Sequence, residues 1–164
     1  WTRESLKILC HNRRVFQGNN LYSKGACYAG MEKLNPQEST REYVYLGEDK
    51  LKSNIGMRAL RRGEDSYLAI LDAGVNWYEA KTDFDLILES GNVLCFTITP
   101  LTGENIMDKT VTLDGLPERP RCTTRLRIHA EMTAIHTLTL EITDMGFGEL
   151  FKSSGRAWTH TLQV

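Results

Sequence analysis

The sequence lacks the patterns that mark cross-linked, metal-binding or membrane-spanning chains. Its four cysteines are far apart and show no Cys-x-x-Cys spacing, so no redox motif, zinc knuckle or disulfide framework is indicated. They are Cys10, Cys27, Cys95 and Cys122. No run of about 18 apolar residues could span a membrane, and the first residues are not a secretory leader. We therefore expect reduced thiols and a cytoplasmic protein. Because the chain lacks an initiator methionine, we also expect it to be a piece of something longer.

The chain has as few histidines as cysteines, four of each, and it lacks the common catalytic motifs. Of the four histidines, only His11 has a cysteine beside it, and none has a second histidine at metal spacing, so no metal site is expected. His129 and His136 are expected as cross-strand neighbours on a wet surface. No Gly-x-Ser-x-Gly elbow exists, and carboxylates such as Asp83 and Asp85 fall at solvated strand-edge positions. The sequence therefore predicts neither an enzyme nor a catalytic residue.

The balance of charge gives no sign of a nucleic-acid partner. The chain has 20 Lys and Arg against 21 Asp and Glu, which leaves a formal net charge of −1. Only Arg13 and Arg14 are adjacent near the basic end, without the interleaved aromatic residues that would stack bases. Neither a nucleic acid nor a membrane is expected to bind this chain.

The first 34 residues are expected to be helical. Leu6, Leu9 and Cys10 form a short amphipathic segment that Gly18 ends, and Asn20 is placed to cap a helix from about residue 21 to residue 34. Small residues four apart on that second helix allow close approach of another element, which is either a neighbour in this segment or a missing partner domain. Residues 35–42 form a polar, proline-bearing connector.

Residues 43–164 show the two-residue period of β-strands. In the most regular stretch, apolar residues alternate with charged ones, namely Leu126, Ile128, Ala130 and Met132 against Arg125, Arg127, His129 and Glu131. Turn residues separate strand candidates at 43–47, 53–61, 66–72, 84–90, 92–99, 107–113, 124–133, 135–143 and 157–164. Short strands at this spacing predict a mainly β fold, an antiparallel β-sandwich after a short N-terminal helical segment.

The order of segments resembles the carboxyl-terminal part of the seventy-kilodalton heat-shock chaperones. Residues 21–29 look like the last helix of their ATPase domain, Ile55-Gly56-Met57 resembles a Leu-Gly-Ile on their first groove strand, and residues 113–121 are similar to their proline-punctuated arm. Residues 21–28 and 144–149 are also similar to an uncharacterised Firmicutes family related to actin and heat-shock ATPases. The resemblance implies residues 1–34 as the remnant of an upstream ATPase-like domain and 43–164 as a peptide-binding sandwich.

Departures from the chaperone pattern limit what the resemblance implies. The connector lacks the leucine-rich linker that couples the chaperone domains, and a loop and strand at 146–164 replace the helical lid. The phosphate-binding loops of the ATPase would lie upstream, so no cofactor is expected in this chain, and ATP would need that upstream domain.

The candidate binding residues come from a loose alignment with the chaperones. It places along a peptide groove the side chains of Met57, Leu60, Leu86, Leu88 and Leu94. The same residues could instead fill the sandwich. Trp77 and Tyr78 follow Gly74 in a loop, where they are either an aromatic platform or packed beneath the loop.

Two functional hypotheses follow from these residues. The first is a non-catalytic, chaperone-like interaction module that binds extended polypeptide segments. The alternative is a purely structural or self-association domain that packs on its own upstream domain and has no groove. An enzyme would require titratable side chains gathered in a cleft. The oligomeric state does not follow from the sequence.

Overall fold

The structure is a computed structural model that describes residues 4, 7–8, 20–35, 46–103 and 105–164. The chain divides into two compact units, Trp1–Val44 and Tyr45–Val164. Most of the predicted first helix and its break, the Cys10 and His11 pair, and nearly all of the connector lie outside the described residues. So do residues 43–45 of the first strand candidate, and the two that follow them, Leu46 and Gly47, are not in a strand. The predicted boundaries of the helical segment and connector stay predictions.

Helix α1 spans Leu21–Leu34, as the sequence predicts. None of its residues is buried, and its large apolar side chains are exposed to 63–94 %. Asn20 precedes the helix but does not cap it with its side chain, because its φ of −126° and ψ of 24° lie outside the extended conformation that a capping residue adopts. Instead, the Lys24 amide donates to the Asn20 carbonyl over 2.9 Å.

The second unit confirms the expected antiparallel β-sandwich. One sheet has the order β2-β1-β4-β5 and the other β3-β6-β7-β8. The strands are β1 Ser53–Arg61, β2 Glu64–Leu71, β3 Lys81–Leu88, β4 Val93–Pro100, β5 Met107–Thr112, β6 Thr124–Ala134, β7 Thr137–Gly146 and β8 Ala157–Gln163. All pairings between these strands are antiparallel. The largest boundary errors are three residues, at the start of β3, which begins before its candidate, and at the end of β7, which extends beyond its candidate.

The core lies between the two sheets and is centred on the β6–β7 hairpin. The inward residues of both strands are fully or almost fully buried, as their alternation predicts, and Phe96 of β4 and Leu113 after β5 meet them with no exposed surface. The inward residues are Leu126, Ile128, Ala130, Met132, Leu138, Leu140 and Ile142. Packing from both sheets thus completes one continuous apolar layer.

The predicted pairing of two histidines across β6 and β7 is wrong. His136 is in the two-residue turn between these strands, where its carbonyl accepts a hydrogen bond from the Val164 amide over 3.0 Å. The residue opposite His129 on β7 is Glu141. The alternation continues through the turn in the sequence, so it does not reveal where the turn falls.

Replacing a central core residue should strongly destabilise the sandwich. We expect Leu140→Ala to lower the free energy of unfolding by about 2–5 kcal/mol, because it removes buried methyl groups and leaves a cavity. Ile87→Ala, at a strand position that is 52 % exposed, should change it by less than about 0.5 kcal/mol. Urea denaturation followed by circular dichroism measures both. Equal losses would contradict the core described above.

Candidate binding site

The two central strands of the first sheet separate after only four residue pairs. β1 pairs with β4 from Ser53 to Gly56, where Gly56 lies opposite Thr97. From Met57 to Arg61, β1 pairs only with β2, and from Val93 to Phe96, β4 pairs only with β5. Within the described residues, the edges Met57–Arg61 and Val93–Phe96 therefore have no strand partner on the sides that face each other. We call this the β1–β4 opening.

Gly56 lies where the strands separate, and a β-bulge adjoins it. The pairing of β1 with β2 shifts between Ile55 and Gly56, which leaves Ile70 of β2 unmatched. The ring of Tyr67 lies over Gly56, so a Cβ at this position would collide with the end of the ring and lie 2.6 Å from the Leu68 carbonyl oxygen. Bulges bend a strand and increase its twist. Here the bulge lies beside Gly56, the last residue of β1 that pairs with β4.

Apolar and basic side chains flank the opening. If the Gly56–Thr97 register continued, Leu60 would lie opposite Val93, and these side chains are 58 % and 48 % exposed. Arg58 would lie opposite Cys95, and both are exposed. The sequence does not reveal Arg58, Val93 and Cys95 as residues of a site, because the end of a strand pairing leaves no mark in an alternating pattern.

The five predicted groove residues do not share one surface. Met57, Leu88 and Leu94 are buried in the core, with 6 %, 8 % and 3 % exposure, and Leu86 is partly buried against it. These four side chains therefore fill the interior of the sandwich, which was the alternative interpretation of the same residues. Leu60 points the other way because it is an odd number of residues from Met57 on the same strand. It is the one groove candidate whose side chain is exposed at the opening.

The aromatic pair does not form a two-ring platform. Trp77 and Tyr78 begin a short 3₁₀ helix, Trp77–Glu79, and their rings meet edge to face with centroids 5.7 Å apart. Trp77 packs against the core, whereas Tyr78 is 56 % exposed. Asn76 fixes this turn by accepting from Lys50 Nζ over 2.6 Å and donating to Glu79. Only one ring is available to a ligand.

A buried ion pair fixes loops that follow β5 and β7. Arg119, in the proline-bearing segment Leu113–Arg121, donates two hydrogen bonds of 2.8 Å to Asp144 at the end of β7. The side chains are 6 % and 0 % exposed. Asp144 also accepts from the amides of Gly146 and Ser154, over 2.9 and 2.8 Å. The Arg119 guanidinium and these donors hold the pKa of the Asp144 carboxyl well below its ordinary value.

The ion pair should make stability depend on pH in the acid range. Because the folded pKa of Asp144 is below its unfolded value, its contribution is present above about pH 4 and is lost as the pH falls. We expect the free energy of unfolding of the parent to decrease between about pH 5 and pH 2 more steeply than that of Asp144→Asn. Asp114→Asn, an exposed site in the same segment, is the control. Parallel curves for the parent and Asp144→Asn would refute this assignment.

Charged side chains on the outer face of the second sheet form ion pairs with each other. Arg127 donates to Asp85 over 2.9 Å, and His129 Nδ1 lies 2.8 Å from Asp83. Glu131 lies 3.5 Å from the other ring nitrogen of His129. The hydrogen bond with Asp83 raises the pKa of His129, and Glu131 adds to this shift. These side chains pair with each other on an open surface, so nothing confines a substrate against them.

His129 should titrate above its ordinary pKa of about 6.5. Because protonation strengthens its contact with Asp83, its contribution to stability is present below that pH and is lost as the pH rises through the folded pKa. The pair is partly exposed, so we expect less than about 1 kcal/mol. NMR titration of the imidazole measures the pKa, which Asp83→Asn should lower. An unchanged pKa in that variant would show that Asp83 is not the cause.

Neither a cluster of metal-ligating side chains nor a membrane-spanning helix occurs in the described part of the chain. Among its residues, no three His, Cys, Asp or Glu side chains are grouped to hold a metal ion. No helix described here is long and apolar enough to cross a membrane.

Both parts of the chain match known protein families. Residues 50–164 match a domain of unknown function, DUF8552. The chain belongs to the DUF8552 family. Residues 1–48 match the C-terminal part of a second family of unknown function, DUF5716. No curated protein matches the chain. The DUF8552 domain contains all eight strands, and therefore both the β1–β4 opening and the Arg119–Asp144 pair.

Proposed function

We propose that the DUF8552 sandwich is a non-catalytic interaction module that binds an extended polypeptide segment in the β1–β4 opening. The observation that supports this proposal is the pair of strand edges, Met57–Arg61 and Val93–Phe96, whose facing sides have no strand partner among the described residues. Each edge presents backbone donors and acceptors, which an added strand can satisfy.

The side chains at the opening favour an apolar ligand. Burying a leucine-sized side chain contributes about 1.5–3 kcal/mol, and Leu60 and Val93 both have exposed surface to bury. Together with backbone hydrogen bonds, such contacts are sufficient for micromolar binding, which corresponds to about −8 kcal/mol. Strand addition would supply affinity through the backbone and specificity through alternate side chains.

The resemblance to the heat-shock chaperones supports the same proposal. Ile55-Gly56-Met57 resembles the motif on their first groove strand, and here Gly56 is the point at which β1 leaves β4. On this basis we propose a chaperone-like, cytoplasmic role within a Firmicutes family related to the actin and heat-shock ATPases. ATP binding would belong to a domain upstream of this chain.

A structural role is the second candidate, and helix α1 favours it. Most of its exposed large apolar residues recur seven or three residues apart, which places them on one side of the helix, as in a helix that packs against another element. These residues include Leu21, Tyr28, Met31 and Leu34. We propose that this segment packs on an ATPase-like domain. In this candidate role, the sandwich needs no ligand.

Substitution of Leu60 tests the binding proposal. We expect Leu60→Glu to weaken the binding of extended apolar peptides about ten-fold or more, because a carboxylate would replace an apolar contact worth about 1.5–3 kcal/mol. Ile87→Glu is the matched control, since Ile87 is an apolar strand residue of similar exposure on the other sheet. Fluorescence anisotropy with labelled peptides measures both. No binding to the folded parent at micromolar concentration would favour the structural role.

Backbone methylation of the peptide provides a second, independent readout. In an added strand, alternate amides point to opposite neighbours. Methylating every second amide should therefore weaken binding strongly, whereas a peptide carrying a single methyl at its terminus should bind as before. Equal binding of all peptides would exclude strand addition while leaving side-chain contacts possible.

A further inference from the structure

Arg58 is a positively charged residue on the outward face of β1 beside the opening, whereas Arg61 points to the other face and Arg62 is in the turn after the strand. Arg58, Arg61 and Arg62 are all exposed, and none forms an ion pair or hydrogen bond with any residue that the structure describes. Of the nearby carboxylates on β2, Glu64 lies opposite Arg61 and Asp65 opposite Leu60, whereas the β2 residue opposite Arg58 is the uncharged Tyr67. On the β4 side, residues 93–96 carry no charge.

Strand alternation fixes which ligand positions would meet which side chains. Continuing the β1–β4 register, Arg58 and Cys95 point outward at one level, and Leu60 and Val93 point outward two levels further along. Between them, Ala59 and Leu94 point inward. A strand in the opening would therefore present one outward residue beside Arg58 and another, two positions away, beside Leu60 and Val93.

We propose that the β1–β4 opening selects extended segments in which an acidic residue lies two positions from an apolar one. The acidic residue would pair with Arg58, and the apolar residue would cover Leu60 and Val93. The inward residue between them would be apolar, because it lies beside Ala59 and the buried Leu94. This selectivity rests on the proposed function, since it concerns the ligand of the same opening.

The test compares charge variants of one apolar host peptide. Glutamate, glutamine or lysine is placed in turn at each of five central positions, and the dissociation constant is measured by anisotropy at low and high salt. At one position we expect the glutamate peptide to bind about two- to five-fold more tightly than the glutamine peptide, the range for an exposed ion pair. The lysine peptide should be the weakest, and added salt should reduce the differences.

Variants of Arg58 assign the preference to this residue. Arg58→Gln should abolish the preference for glutamate, and Arg58→Glu should reverse it in favour of lysine. Arg125→Gln is the control, because Arg125 is an exposed strand arginine on the outer face of the other sheet. It should leave the preference unchanged.

The outcomes separate this inference from the proposed function. If no peptide binds, or if Leu60→Glu leaves every dissociation constant unchanged, the binding site itself is wrong. If peptides bind in a Leu60-dependent manner but do not discriminate between glutamate and lysine, or prefer lysine, only the charge selectivity is overturned. A preference for glutamate that survives Arg58→Gln also overturns it.

Discussion

The apolar layer of the β6–β7 hairpin is the constraint on which the rest of the sandwich depends. Its inward side chains have almost no exposed surface, and the opposite sheet must cover them to exclude water. Because side chains alternate along a strand, this burial also fixes what the outer face carries. A shift of one residue in β6 would bury Arg127 and His129 and expose Leu126 and Ile128. The register is thus set by the cost of burying charge.

Two parts of the sandwich differ in how completely their polar groups are paired. At the end of β7, the buried Asp144 accepts hydrogen bonds from Arg119, Gly146 and Ser154, and it thereby fixes two loops at once. A buried carboxylate is stable only with such compensation, so the loops and the ion pair require each other. At the β1–β4 opening, by contrast, the backbone groups on the facing strand edges have no strand partner among the described residues. Rigidity is concentrated at Asp144, while potential for strand pairing remains at the opening.

The sequence predicts the strands well because their burial follows a local period. Helix α1 and β1 have the predicted bounds, and the inward face of β6 is correct residue by residue. The predicted groove depends instead on where strands stop pairing. The odd spacing from Met57 to Leu60 puts these two residues on opposite faces of β1, one in the core and one on the surface. Likewise, nothing near Asp144 in the sequence indicates Arg119, which is 25 residues away.

Unpaired strand edges are normally a hazard, because any extended chain can pair with them. The edge strand β3 limits this with Lys81, Asp83 and Asp85, whose charges face outward along its length. The edges of the opening limit it by their position, since each faces the other beyond the last β1–β4 pair, Gly56 and Thr97. A chain that pairs there must enter as a single extended segment between them, and its side chains must suit both edges. The arrangement that leaves the backbone unpaired therefore also restricts what can pair with it.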